Sequence, residues 1–189
     1  MKQRIESIIA DSIEVKKAVL ANCLPSIQKT TEVITAAFQN KHRVFFCGNG
    51  GSAADSQHIA AEFIGRFQRE RRALPALALT TDSSILTCLS NDYNYDIIFS
   101  RQLEALGGKG DVLVGISTSG RSFNVIKAFQ RAKEMGITTI AFTGNDGGPM
   151  SIMADISIIV PSKITARIQE AHITIAHAVC ELVEDIILQ

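Results

Sequence analysis

Apolar residues recur at helical spacing through the first forty positions. Ile5, Ile8, Ile9, Ile13, Val15 and Val19 form one stripe, Pro25 interrupts it, and Ile27, Val33, Ile34 and Phe38 resume it. From residue 43 the pattern changes. Five short, near-continuous apolar runs follow, at 43–47, 76–80, 111–116, 137–142 and 156–160. Runs of this length, bounded by glycine, proline or polar clusters, read as buried strands. Helical patterns lie between them, at 53–66, 85–89, 97–106 and 123–135, and a long one covers 164–188. The alternation predicts an α/β fold: a three-layer sandwich with a five-stranded parallel sheet covered by helices on both faces. Five such strands most often take the order 2-1-3-4-5. No repeat, low-complexity run or linker interrupts the chain. Residues 1–189 are therefore expected to form a single domain, with N-terminal helices in 1–40 and the α/β sandwich with its long last helix in 41–189. The terminal helices exceed the cover that one sheet needs. Their spare apolar stripes are expected to be buried against another subunit.

Ligands of open α/β sheets bind beyond the carboxyl ends of the strands, where the strand order reverses. The loops at that point are Gly48-Asn49-Gly50-Gly51-Ser52 and Ser117-Thr118-Ser119-Gly120-Arg121-Ser122. Each leads into a helix, whose free N–H groups favour an anion. Three readings compete. Helix capping explains one hydroxyl but not four in six residues. Gly48-x-Gly50-x-x-Ala53 matches a dinucleotide fingerprint, yet the acidic residue that motif needs about 20 positions on is missing, Asp82 coming too late. A phosphate monoester held by hydroxyls and backbone amides fits best. Neither loop has the Gly-Lys-Ser/Thr of a nucleoside triphosphate site.

Composition narrows the field. The 189 residues are 46% hydrophobic, and 19 basic residues balance 19 acidic ones. That is too apolar and too weakly charged for a disordered chain, and it supplies no general field for nucleic acid. The four cysteines are scattered without a Cys-x-x-Cys pair, which fits a reducing compartment. The N-terminal residues are charged at once, and no stretch reaches the ~18 apolar residues of a membrane span. A cytoplasmic protein with no membrane or nucleic-acid partner is expected.

Acid, base and metal candidates fall on two helices. His58 and Glu62 are four apart and share a face of the helix after the first loop. That helix is otherwise largely apolar, so it is expected to be buried. The last helix carries Gln169, Glu170, His172, His177 and Glu181. Gln169 and His177 lie ~12 Å apart along its axis. They either clamp one ion between them or serve separate points of an extended substrate. Asn91-Asp92 reads as a turn capping the helix near Asp96. Arg66, Arg69, Arg71 and Arg72 read as a solvated loop, with Arg66 close enough to the helix to face an anion. Thr143 to Gly148 reads as a turn into the next helix.

Three segments together carry a resemblance: Gly48-Asn49-Gly50-Gly51-Ser52-Ala53-Ala54-Asp55, Gly115-Ile116-Ser117-Thr118-Ser119-Gly120 and Ala166-Arg167-Ile168-Gln169-Glu170. They resemble the sugar isomerase (SIS) domain family, and within it the phosphoheptose isomerases. The likeness runs over nearly the whole chain. It implies a flavodoxin-like SIS fold and conversion of sedoheptulose 7-phosphate into D-glycero-D-manno-heptose 7-phosphate, for ADP- or GDP-heptose and the lipopolysaccharide or capsule built from it. It also implies a homotetramer with active sites at subunit interfaces and one zinc ion per subunit.

By the same resemblance, Glu62 is the general base and His177 the general acid. His58, Glu62, Gln169 and His177 are the zinc ligands. Asn49, Gly50, Gly51, Ser52, Glu62, Asn91, Asp92, Ser117, Thr118, Ser119, Ser122 and Gln169 contact substrate. Some members have an acidic residue where this chain has Ala166. The chemistry agrees, since an enediol isomerisation needs one base and one acid near the working pH. Whether Glu62 is ligand or free base stays open. The alternative is a non-catalytic SIS protein that regulates replication initiation by binding the initiator, which would have no need of Glu62 or His177.

Overall fold

A computed structural model describes residues 1–189. Two helices, α1 (Lys2–Asn22) and α2 (Leu24–Gln39), precede β1 (Val44–Gly48) and α3 (Gly51–Ile64). There follow β2 (Ala76–Ala78), α4 (Ser83–Asp92), a 3₁₀ turn at Tyr95–Ile97, α5 (Ile98–Leu106), β3 (Val112–Ile116) and α6 (Phe123–Glu134). The chain ends with β4 (Thr138–Gly144), α7 (Gly148–Met153), β5 (Ile156–Val160) and α8 (Thr165–Ile187). The five strands form one parallel sheet in the order 2-1-3-4-5, as the sequence predicts.

Pro25 does not break the first stripe. The break is at Cys23, which closes α1 and opens α2, and Pro25 sits in the first turn of α2, where no intrahelical donor is lost. The segment from Thr143 divides differently from a simple turn: Thr143 and Gly144 finish β4, and the turn proper is Asn145–Gly147.

Alternation along each strand splits the core in two. Val44 and Phe46 of β1 point to one face, with Phe38 of α2, Phe63 of α3 and Ile175 and Val179 of α8. Phe45 and Cys47 point to the other, with Phe99 and Leu103 of α5 and Val125 and Phe129 of α6. Each fully buried Phe or Leu contributes ~1.5–3 kcal/mol of transfer free energy, so both faces must be covered. Helix α1 joins the first of these layers only at its carboxyl end. It buries Val19, while Ile5, Ile9, Ile13 and Leu20 remain exposed.

This topology places the site. Strands β1 and β3 are neighbours in register, with Gly48 beside Ile116, so the loops that follow them emerge side by side. Helix α3 leaves the first loop and packs against α8.

Candidate active site

Gly50 opens α3 from the left-handed region (φ 55°), a conformation that glycine adopts without strain. The N–H groups of Gly50, Gly51, Thr118 and Ser119 have no partner within the chain. Gly51 is also packed against α8: a Cβ there would overlap the side-chain amide of Gln169. The absence of a side chain thus brings Gln169 directly over the start of α3.

The loop hydroxyls are not helix caps. Ser122 precedes α6 without a side-chain capping bond, and its Oγ lies 2.8 Å from Ser117 Oγ. Ser119 is exposed, and its Oγ accepts from the Arg121 N–H at 3.2 Å. Ser52 is buried and Thr118 half-buried. The dinucleotide reading fails as well, because Asp82 caps α4 by accepting from the Ile85 N–H.

Asn49 is held by a reciprocal amide pair. Its Nδ2 donates to Asn124 Oδ1 at 2.9 Å, and Asn124 Nδ2 donates back to Asn49 Oδ1 at 2.8 Å. Tyr95 Oη donates to the same Asn49 oxygen at 3.1 Å. Asn124 Oδ1 also accepts from the Val125 N–H, which fixes the pair at the start of α6.

The acid/base candidates meet between α3 and α8. His58 Nε2 lies 3.0 Å from Glu62 Oε1 and 3.3 Å from His177 Nε2. The three ligand atoms all fall within 4.8 Å of one another. The His58 and His177 rings are tilted at 5.0 Å between centroids, and Phe67 flanks His177 at 5.6 Å. Asp55, one turn before His58, is half-buried. Burial raises its carboxyl above the usual range, while His58, the Gln169 amide and His177 pull it the other way. Cys180, one turn beyond His177, is buried, and its thiol is pushed up to about 12 by desolvation and by Glu62. It stays a neutral thiol beneath the carboxylate.

Two imidazoles and one carboxylate gathered this closely are a donor set suited to a catalytic zinc ion, which leaves a position open for a substrate oxygen. The residues therefore fit the metal that the sequence reading assigns. Gln169, the fourth ligand in that reading, meets Gly51 and the surroundings of Asp55.

Other expectations need correction. Asn91 and Asp92 are the exposed last turn of α4, not a turn before Asp96. Their side chains bond to each other rather than to the β1 or β3 loops. Helix α3 is buried along one stripe only, through Ser52, Ser56, Ile59, Ala60 and Phe63, whereas His58, Ala61 and Ile64 face outward. Arg71 does not belong to a solvated loop: its side chain and that of Glu184 are each 2% exposed, with Arg71 Nε 3.3 Å from Glu184 Oε1. His172 is also buried, its Nε2–H donating to the Thr143 carbonyl at 2.9 Å. Asp55 and Arg71 stand in segments that the sequence singles out, though without these contacts, whereas Glu184, Asn124 and Tyr95 lie outside every motif. Only the helical register of Glu184 with His177, seven residues apart on one face, pointed to any of them.

The model of the SIS domain family matches residues 9–144. The phosphoheptose isomerase of Clostridium acetobutylicum is 54% identical over 97% of this chain and 95% of its own length. That of Aquifex aeolicus is 51% identical over 100% and 99%. Among solved structures, a phosphoheptose isomerase from Neisseria gonorrhoeae superposes with a TM-score of 0.93 at 44% identity, covering 97% of this chain and 98% of the other. One from Francisella tularensis gives 0.94 at 35% identity, covering 97% of each chain.

Proposed function

The chain belongs to the phosphoheptose isomerases of the SIS domain family, and on that premise we propose that it converts sedoheptulose 7-phosphate into D-glycero-D-manno-heptose 7-phosphate. The observation that carries this reading is the meeting of Glu62 and His177 around His58, on helices that adjoin two hydroxyl- and amide-lined loops.

In the proposed reaction the Glu62 carboxylate removes a proton from C1 of the ketose while His177 donates one to the C2 carbonyl oxygen. The result is an enediol. His177 then takes the proton from the C1 hydroxyl, and Glu62 returns its proton to C2, giving the aldose with both side chains restored. One carboxylate and one imidazole suffice for both halves. The free N–H groups of Gly50, Gly51, Thr118 and Ser119, with the hydroxyls of Ser117, Ser119 and Ser122, bind the phosphate end. Asn49, Ser52, Asn91, Asp92 and Gln169 are assigned to the sugar. A zinc ion, when bound, would be held by His58, Glu62, Gln169 and His177 and would supply Lewis-acid charge to the reacting sugar oxygens. Glu62 and His177 would exchange between holding that ion and moving the protons.

The working form is proposed to be a cytoplasmic homotetramer. The exposed isoleucines of α1 support the assembly, and the four unpaired cysteines agree with a reducing compartment. No helix is long and apolar enough to cross a membrane. A regulator without catalysis would have no use for the Glu62–His177 arrangement.

Turnover of sedoheptulose 7-phosphate, measured with and without a chelator, tests the reading. Formation of the aldose phosphate supports it, and its absence from metal-replete protein refutes it.

A further inference from the structure

The carboxyl end of α3 has carbonyl groups that its own helix cannot satisfy. Arg71 satisfies them from six to nine residues downstream. Its Nη2 donates to the Glu62 carbonyl at 2.8 Å, and its Nη1 donates to the Phe63, Arg72 and Gly65 carbonyls at 2.8, 3.1 and 3.2 Å. The third nitrogen, Nε, faces Glu184 of α8. The Glu184 carboxylate in turn accepts from three successive N–H groups: Phe67 at 3.1 Å, and Gln68 and Arg69 at 2.8 Å each. Burial by itself would raise this carboxyl, but the three N–H donors and the Arg71 guanidinium hold it below the usual range. Phe67, tied down by one of those bonds, is the residue whose ring flanks His177.

One buried ion pair therefore touches both halves of the catalytic arrangement. On one side it bonds to the backbone of Glu62. On the other it fixes the aromatic ring beside His177, from a residue two helical turns along on the same helix. A buried ion pair is a poor device for stability alone, because apolar side chains of similar volume often replace one at no loss. A planar guanidinium with separated donors is well suited to fixing several acceptors in one geometry.

We propose that the Arg71–Glu184 pair is a positioning device for the isomerase site, setting the distance and angle between Glu62 on α3 and His177 on α8. The proposal rests on the reaction assigned above. Neither residue touches the substrate. Their effect is on kcat, because misplacing a reacting group by about 1 Å is enough to lose about a hundredfold in rate.

The test compares steady-state turnover of sedoheptulose 7-phosphate by the full-length protein, by Arg71→Lys, by Glu184→Gln and by the double variant Arg71→Met/Glu184→Leu. Folding and assembly are checked by circular dichroism, melting temperature and size exclusion. The double variant removes both charges together at similar volume but leaves the backbone carbonyls and N–H groups they served without those partners, so it is expected to melt below the unaltered protein, and kcat is read per folded protein. Its kcat is expected to fall by about tenfold or more while KM stays within about twofold. Arg71→Lys keeps the charge but loses the fork, and is expected to lose kcat in the same way.

A folded double variant with unaltered kcat would reduce the pair to a structural element and overturn the proposal. If the double variant does not assemble, Arg71→Lys decides: reduced kcat per folded protein supports positioning, and unaltered kcat overturns it. A parallel rise in KM would place the effect on binding and also overturn it. Unaltered protein that does not turn over the sugar would sink the isomerase reading and the positioning role together, whereas active protein with indifferent variants sinks the positioning role alone.

Discussion

The Nε2 atoms of His58 and His177 lie 3.3 Å apart, although 119 residues separate them in the chain. Nothing local brings them together. Helix α3 follows the first strand and α8 follows the last, and the two meet because both pack on the same face of the sheet, through Phe63 and Val179. With Glu62 Oε1 at 3.0 Å from His58, three potential metal donors converge. His58→Ala is expected to weaken zinc binding by more than the about tenfold to a hundredfold lost when only a hydrogen-bond partner of a ligand is removed, measured by calorimetric titration of metal-free protein with zinc. Chelation is expected to slow turnover, and zinc to restore it. Unchanged zinc affinity in His58→Ala would show that the ion binds elsewhere.

The phosphate loops give a second prediction. Ser117 and Ser122 share a hydrogen bond, and Ser119 projects from the same loop. Removing one hydroxyl that donates to a phosphate is worth ~1.5–3 kcal/mol, so Ser119→Ala and Ser122→Ala should each raise KM by about tenfold or more. Their kcat should change little. Steady-state kinetics with varied sedoheptulose 7-phosphate checks this, and an unchanged KM in both variants would move the phosphate site away from the loop.

Helix α1 supplies a third. Ile9 and Ile13 are 56% and 48% exposed, one turn apart on a helix that also packs on α8. A charge placed there should disrupt an interface between subunits and leave the sheet untouched. Ile9→Asp/Ile13→Asp is expected to elute from size exclusion as a smaller species than the unaltered protein, with circular dichroism preserved. An unchanged elution volume would show that α1 does not hold the assembly.

His172 gives a prediction about pH. Burial lowers its pKa from 6.5 to about 4, against the opposing pull of the Thr143 carbonyl. The folded state therefore keeps the imidazole neutral where the unfolded chain protonates it. Stability is fully present above pH ~6.5, falls as the pH drops below that value, and levels off near pH 4. The fall attributable to this one residue is about 3 kcal/mol at most. Urea unfolding at pH 7.5 and pH 5 measures it, and His172→Gln, which keeps a donor but does not titrate, should flatten the difference. An equal pH slope in the variant would assign the acid sensitivity to other groups.

The parts of the molecule legible in the sequence are those with a short-range signature. Near-continuous apolar runs such as Val44 to Cys47 mark a sheet buried on both faces, and the Gly50-Gly51 and Ser117 to Ser122 segments mark its switch point. Less legible were groups whose role depends on a distant partner. Arg71 sits among three other arginines, and only Glu184, 113 positions later, removes it from water. Asn124 reads as an ordinary first-turn residue until Asn49 is seen beside it. Asn91 and Asp92 carry no helical signature of their own, because α4 runs to Asp92, beyond its last apolar position at Leu89. The exposure of His58 is hidden for a related reason: alanine and isoleucine make α3 apolar nearly all round in sequence, and only the packing shows which stripe is covered.

Glu62 is proposed as the base of a sugar-phosphate isomerase. The most direct measurement is turnover of sedoheptulose 7-phosphate by the unaltered protein and by Glu62→Gln, with binding of the substrate followed in the same samples. Glu62→Gln keeps the shape of the side chain and removes its basicity. The expected result is aldose phosphate from the unaltered protein, and substrate binding without detectable product from the variant. Undiminished turnover by Glu62→Gln would contradict it.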